Sequence, residues 1–515
     1  MNATVAGDLR PEHPAGRPLT ALASEFAFPA RGLRSGVETT GVSINTGTLR
    51  PGDLYVAAAG RHSHGARYLS EARAAGAVGV LTDPPNADAA ASLGFPVLLT
   101  PDPRAAVGDV AAWIYRTNDF PLTKYAVTGT NGKTSVVYLL SALLTQLGVA
   151  NGLSSTAERR AGRGRATSRL TTPEAGELHA LLARMREEAA RAAAIEVSAQ
   201  ALTEHRVDGI VFDVAGFTNL GHDHLDEYGD LETYFAAKRA LFEPEHSRRA
   251  VVVIDTEWGR RIADDARIPI ATLSASPGSE AAWHVAVTDE SLRGVAILLT
   301  GPGGSTLATS IPIPGAHMGV NAALAIAMLV ESGTSLDAIG HVLARDGGIR
   351  VQVPGRLERV SGPHGPVFFI DYAHTPEAYR TTLADLRRVT TGKLITVLGG
   401  SGDRDLAKRP INGAETARGS DIVIVTDQDP RSEDPAVIRA AVIDGARQAR
   451  PGVELYEVPD VPQAVRKAIS LATARDVILF ATPAHSDHRE VNGRHVPYSA
   501  YDDSRAALRE AGWPA

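Results

Sequence analysis

The sequence predicts an α/β protein of three consecutive units, and three observations support that class. Short apolar runs alternate with stretches of helical spacing along almost the whole chain, the pattern of parallel strands joined by crossover helices. Near the middle, KYAVTGTNGKTSVVYLL (124–140) joins an apolar run to a helical pattern through a glycine turn. A chain of 515 residues is also long enough for about three domains of ordinary size.

Taken in order, the start MNATVAGDLRPEHPAGRP has neither a signal pattern nor periodicity, so residues 1–20 are expected to be a flexible tail. A small α/β unit is expected over 21–118, with strands at 54–59, 79–82 and 96–99 and helices at 66–75 and 104–115. Asn118-Asp119-Phe120-Pro121 reads as a linker. The central unit, 119–348, opens with the glycine turn and continues with strands at 192–197, 210–217 and 250–254. More strands follow near 283–289, 293–299 and 306–311, then an alanine-rich helix at 318–332. The arginine-rich stretch 158–169, ERRAGRGRATSR, reads as a solvated loop, with phosphate contact as the alternative. The third unit, 349–515, alternates again, with strands at 367–370, 394–398, 422–425, 455–458 and 477–480. Its polar clusters DYAHTP, GGSGDRD, TDQDPRSEDP and TPAHSDH follow those strands, where a mostly parallel sheet places its ligands.

Bulk composition narrows the class of partner. The chain is 44% hydrophobic and 22% charged with a net charge of −7, so no basic field points to nucleic acid. Cysteine is absent, which removes disulfides, thiolate zinc sites and a cysteine nucleophile and suits a cytoplasmic protein. No run of 18 apolar residues is present, so no membrane insertion is expected.

Gly129, Thr130, Asn131, Gly132, Lys133, Thr134 and Ser135 lie between a buried strand (125–127) and the apolar positions Val136, Leu139, Leu140 and Leu143. Small residues let backbone N–H groups approach phosphate oxygens, and the helix N-terminus adds partial positive charge. Lys133 is expected at the β/γ-phosphates and Thr134 at Mg²⁺. Val127 stands where the full phosphate-loop pattern has glycine, so an ordinary glycine turn is the bland alternative. Glu196 ends a buried strand and is either a cap or a functional carboxylate. Asn219, His222, Asp223, His224 and Asp226 crowd the exit of the next strand, which fits a Mg²⁺–nucleotide site or a solvated acidic loop. Lys238 sits on a mostly apolar helical face. There it snorkels, pairs with a carboxylate, or serves as a neutral amine that has taken up CO₂.

At these residues the chain resembles the Mur ligase family, ATP-dependent enzymes that extend the peptide of peptidoglycan precursors, and within it the branch that makes the tripeptide. The resemblance covers roughly 40 to 510 and rests on an ordered series of blocks. They are RPGDLYVA, GTNGKTS, LTTPEAGEL, EVSAQAL, HRVDGIVFDVAGFTNLGHDHLD, VPGRLERV, DYAHTPEA, GDRDLAKRP and PRSEDP. It implies a small N-terminal substrate domain, a central phosphate-loop ATPase domain and a Rossmann-like C-terminal domain. It also implies an ADP-forming ligase that uses ATP and Mg²⁺ and joins a UDP-muramoyl dipeptide, or an analogue, to an amino acid.

By position, the resemblance places Lys133, Thr134 and Ser135 on ATP phosphates and Mg²⁺, makes Glu196 and His224 metal ligands, and makes Lys238 a carbamylated lysine. Asn321 is implied on the adenine side, with Arg356 and Asp371 at phosphates and ribose. Thr171, Thr172, Ser198 and Arg206 fall on the acid substrate. Arg404, Gln428, Asp429, Arg431, Thr482 and Ser486 fall around the amino acid. The departures gather at the substrate ends. Asn45-Thr46-Gly47 replaces Asp-Ser-Arg, Gln200 replaces histidine, and His317-Met318 replaces His-Asn. Gln428-Asp429 replaces Asp-Asn, and Ser486 replaces the glutamate for a far ammonium. A tripeptide synthetase, a paralogue joining another acid and amine, and a nucleotide-binding pseudoenzyme all remain open readings.

Overall fold

The computed structural model describes residues 9–60, 63–483 and 487–515. Among them the strands form three main sheets. The first runs Ala30–Arg31, Val97–Leu99, Gly79–Thr82, Asp53–Ala57, Gly41–Ser43, parallel except at Ala30–Arg31. In the central sheet the strand Thr123–Thr128 lies between Ala192–Glu196 and Val214–Phe217, parallel to both. Asn151–Ser154 continues the parallel part on one side, and Ala250–Val253 and Ile270–Ser274 continue it on the other. An antiparallel meander, Trp283–Ser291, Gly294–Thr300 and Thr306–Ile311, completes the far edge. The third sheet runs Glu358–Arg359, Val367–Asp371, Val477–Ala481, Leu394–Leu398, Ile422–Val425, Glu454–Glu457 and is parallel apart from its first strand.

Strands covered on both faces must be apolar throughout, which is why AAAIE (192–196) and LITVL (394–398) are continuous runs and are fully buried. The helices Lys133–Gln146 and Ala316–Glu331 share one core on one face of the central sheet. Ala175–Glu187 and the helix of Lys238, Leu231–Arg239, contribute to another. Thr375 caps Pro376–Val389 through its hydroxyl, with proline at the first turn, a start the sequence spells out. Among the described residues no helix is long and apolar enough to cross a membrane.

Four expectations change. The tail is anchored from residue 9. Arg10 is buried, and its guanidinium spans both Asp53 carboxylate oxygens at 2.9 and 2.8 Å and reaches the Thr48 carbonyl. A helix already begins at Leu19. A lone arginine in a polar stretch gave no sign of a partner 43 positions away. The stretch 158–169 is a β-hairpin, Glu158–Ala161 with Gly164–Thr167, on the edge of the central sheet. Its Arg159 is buried against Glu177 at 2.8 Å. The strand expected from 210 begins at Val214, while the buried Phe212 makes only an isolated bridge to Ser247. The helix expected at 66–75 opens as a 3₁₀ turn, Gly65–Tyr68, before Leu69–Ala74.

Candidate active site

The glycine turn runs from the carboxyl end of Thr123–Thr128 into the helix that starts at Lys133. Gly129 and Gly132 have φ of +143° and +91°, a region that penalises a side chain. A Cβ on Gly129 would collide with the Thr218 hydroxyl, and one on Gly132 would lie 2.8 Å from the Asn321 amide oxygen. The 218–221 segment fixes the loop. Thr130 N donates to the Asn219 carbonyl at 2.8 Å, Asn131 N to the Asn219 side chain at 3.0 Å, and Gly221 N to the Thr130 hydroxyl at 3.0 Å. The first N–H groups of the Lys133 helix have no intrahelical acceptor, and Gly132, Lys133, Thr134 and Ser135 border a cavity of about 750 Å³. Lys133 Nζ donates to the carbonyls of Gly129 and Thr130 at 2.9 and 2.8 Å. Burial pulls its pKa down, while Glu196 and Asp223 pull it up. A triphosphate would add the anionic charge this ammonium lacks.

The third sheet closes the cavity. Arg356 donates to the Thr134 hydroxyl at 3.0 Å, and its guanidinium lies over the Tyr372 ring. Asp371 is buried, and its carboxylate accepts from Leu357 N and Ala373 N at 2.7 and 2.8 Å. Burial raises its pKa despite Arg356 and those two bonds. The Thr375 hydroxyl reaches Asn131 at 3.3 Å. Lys408 pairs with Asp223 at 2.7 Å, His374 lies 3.7 Å from Asp223, and His222 lies 3.2 Å from Asp405. Burial works to raise the Asp223 pKa, but the bond and charge of His374, then His224 and Lys408, hold it well below the usual carboxylate range.

Of the expected metal ligands, Thr134, Glu196 and His224 border the cavity and Lys238 does not, and the four are not gathered into a cage. Glu196 is fully buried and is held by Thr156, whose N and Oγ1 donate at 3.0 and 2.9 Å. His224 has φ of +55° and faces Asp223 at 3.4 Å. Burial lowers its pKa, opposed by Asp223 and reinforced by Lys238 and Lys133. Among the described residues no three acidic or histidine side chains are grouped to hold a metal. Lys238 is buried behind the loop. Its Nζ donates to the Gly129 carbonyl at 2.9 Å and lies 4.3 Å from the Tyr234 ring centre. Burial and the Lys133 charge hold its pKa well below the usual lysine range.

Thr171 borders the cavity, and its hydroxyl accepts from Thr156 Oγ1 at 3.0 Å, in line with Glu196. Thr172 lies beneath, donating to the Glu196 carbonyl at 2.8 Å. Ser198 caps the short helix Ala199–Thr203, and Arg206 Nε lies 3.2 Å from Glu174; neither borders the cavity. Arg404, Gln428, Asp429 and Arg431 border its other wall. Asp429 accepts from Glu490 N at 3.1 Å, and Arg431 sits 3.5 Å from the Glu490 carboxylate. Thr482 is buried beside a smaller hollow, and Ser486 lies outside the described residues. Asn321 faces the phosphate loop at Gly132, with Met318 as its neighbour. Asn45 makes a local turn, accepting from Gly47 N at 2.9 Å.

Sequence reasoning missed the Thr156 hold on Glu196 and the pairing of Lys408 with Asp223. It also missed a chain from His317 through Asp385 (2.5 Å) and Arg388 (2.6 Å) to Glu290 (2.9 Å). The partners lie 40 and 185 positions apart in the first two cases, so no local signal exists.

Two domain families match the chain: Mur ligase middle domain over residues 127–329, and Mur ligase, glutamate ligase domain over 355–482. The UDP-N-acetylmuramyl-tripeptide synthetase of Leifsonia xyli subsp. xyli is 59% identical over 513 residues, covering 100% of both chains. The chain belongs to the Mur ligase family. A UDP-N-acetylmuramoyl-L-alanyl-D-glutamate–2,6-diaminopimelate ligase of Streptomyces coelicolor is 39% identical over 99% of each chain. A solved structure of a ligase of that description superimposes with a TM-score of 0.63 at 25% identity, covering 92% of this chain and 96% of that one. In this Mur ligase the phosphate loop belongs to the matched middle domain, and Arg356, Asp371, Arg404 and Arg431 belong to the matched glutamate ligase domain.

Proposed function

We propose that this ATP-dependent Mur ligase activates the carboxylate of a UDP-muramoyl dipeptide and joins it to an amino acid. The observation that carries the reading is one cavity whose lining includes cationic groups from both the central unit and the third unit. Lys133 and Arg356 meet at the phosphate loop, and Arg404 stands on the opposite wall. The acid's oxygen forms a bond to the γ-phosphorus of ATP while the bond to ADP breaks, giving an acyl phosphate. The amine then attacks that carbonyl, phosphate leaves, and the amine's proton passes to solvent. Two anions meet in the first step, so Lys133, Arg356 and the first-turn N–H groups act by offsetting their repulsion. Closure of the third sheet over the loop keeps water from the acyl phosphate.

The donor set fits Mg²⁺. The Thr134 hydroxyl and Glu196 carboxylate are hard oxygen donors, and Mg²⁺ takes one or two carboxylates and fills its other positions with phosphate oxygens and water. Thr134, Glu196 and His224 would hold it, and the ion would supply charge neutralisation at the phosphates. Lys238 suits carbamate formation: burial and the Lys133 charge favour its uncharged amine, which would add CO₂ and lose a proton to leave an anion near that cluster. The cysteine-free chain suits the reducing cytoplasm, where we place the reaction.

A second reading, ligation of another acid and amine, is favoured by the amino-acid wall, where Glu490 occupies Arg431 and Asp429 is turned to a backbone N–H. A phosphate-release screen decides between them, with UDP-N-acetylmuramoyl-L-Ala-D-Glu crossed with a panel of amino acids. Turnover that needs both partners is expected. Best turnover with diaminopimelate excludes the second reading, and no turnover with any amino acid excludes the first.

A further inference from the structure

Glu196 and Thr156 stand at the carboxyl ends of neighbouring parallel strands, Ala192–Glu196 and Asn151–Ser154, which pair from Ala192 with Asn151 to Ile195 with Ser154. The Glu196 side chain is fully buried, yet it borders the cavity. Among the described residues its carboxylate takes part in no ion pair, and its hydrogen bonds come from Thr156 alone. The Thr156 N–H donates to Oε1 at 3.0 Å and the hydroxyl to Oε2 at 2.9 Å, so one residue engages both oxygens. A buried carboxylate without a cation is costly, and this one can be reached from the cavity it borders.

Thr156 is itself fixed. The preceding Ser155 closes a turn: its N–H donates to the Glu158 carbonyl at 2.9 Å, and its hydroxyl accepts from Ala157 N and Glu158 N, both at 3.1 Å. The Ser168 hydroxyl donates to the Ser155 carbonyl at 2.5 Å. The Thr156 hydroxyl also lies 3.0 Å from that of Thr171, which holds its rotamer from the other side. Both donors to Glu196 therefore sit on backbone locked by the base of the 158–167 hairpin.

We infer that Thr156 is a positioning residue: by gripping both oxygens of Glu196 it sets the direction in which that carboxylate meets the divalent cation bound with the nucleotide. This rests on the ATP and Mg²⁺ reading proposed above. An ionised carboxylate has about four lone-pair sites. Thr156 takes one on each oxygen, which leaves one on each for a hard cation that tolerates little departure from its ideal geometry. Outer partners of this kind hold a metal ligand in its productive orientation, and their loss costs about 10–100-fold in metal affinity. Without the hydroxyl, Oε2 loses its donor and the carboxylate is free to turn about its last bond.

The test measures binding of a fluorescent, non-hydrolysable ATP analogue to the full-length protein, with saturating Mg²⁺ and with a chelator, alongside the Mg²⁺ dependence of phosphate release. Thr156 is partly exposed, and Thr156→Val keeps its shape and its backbone N–H, so the variant is expected to fold. Unchanged affinity without Mg²⁺ checks this, and Thr156→Ala gives the same reading with no added methyl group. The affinity that the wild type gains from Mg²⁺ should shrink about tenfold in either variant. Half-saturating Mg²⁺ for phosphate release should rise by a similar factor, with most of kcat restored by excess Mg²⁺. Thr156→Ser keeps the hydroxyl and should recover most of the gain. In a Glu196→Gln background Thr156→Val should cost nothing further, which a merely structural threonine would not predict. A Mg²⁺ gain within twofold of wild type in Thr156→Val, an equal loss of affinity with and without Mg²⁺, or a further loss in the Glu196→Gln background overturns the inference and leaves the ligase reading standing. A wild type that binds no nucleotide under either condition overturns both.

Discussion

Lys408→Met tests how the third sheet is held over the phosphate loop. Lys408 Nζ lies 2.7 Å from Asp223 Oδ1, with side chains only 13% and 8% exposed, so salt screens the pair weakly. Removing one partner of a buried pair costs about 3–5 kcal/mol because the other charge is stranded. Asp223 keeps His374 at 3.7 Å and His224 at 3.4 Å, which leaves about 2 kcal/mol of that cost. The partners belong to different sheets, so the loss falls on their docking and shifts the closed arrangement by about thirtyfold. Small-angle scattering should show a larger radius of gyration for Lys408→Met, reversed in part by an ATP analogue, and kcat for phosphate release should fall. Asp223→Asn in the same chain removes the stranded charge and should restore part of the compactness. Wild-type dimensions and wild-type kcat in Lys408→Met would refute the reasoning, as would a double mutant whose effects simply add.

Three further outcomes are expected. Gly129→Ala forces a side chain into φ of +143° and against Thr218; a fluorescent-nucleotide titration should show at least about tenfold weaker ATP binding, since strain of this kind costs about 1–3 kcal/mol. Lys238→Ala should lose ligase activity and regain part of it with added short carboxylates, and full activity in the mutant would remove the carbamate. His179 is buried, bonded to the Thr117 hydroxyl at 2.7 Å, and burial lowers its pKa from 6.5 to about 4. Its neutral form therefore contributes about 3 kcal/mol above pH 6.5 that is lost as pH falls towards 4, because the unfolded chain takes up the proton first. Denaturation midpoints of His179→Gln should vary less with pH across that window, and an unchanged slope would contradict the assignment.

The elements that could be read from sequence were those whose causes are local. The apolar runs at 79–82, 394–398 and 422–425 are strands with those same bounds, because a strand buried on both faces must be apolar at every position. The hairpin at 158–167 looks like a solvated loop in sequence because nothing local shows that its charges are paired, Arg165 with Glu158 across the two strands and Arg159 with the distant Glu177. Arg10 looked like part of a polar tail because Asp53, which holds it, is distant in the chain.

The phosphate loop shows the same division. By itself the sequence determined that a strand, two glycines and a lysine-led helix stand together, since positive φ and an uncapped helix start are local properties of those residues. Only the tertiary structure decided what faces the loop: Arg356 and Thr375 from the third sheet, Glu196 held by Thr156, and Lys238 behind Gly129. Contacts between charges far apart in the chain depend on how three sheets dock, and the local pattern of residues carries no record of that docking.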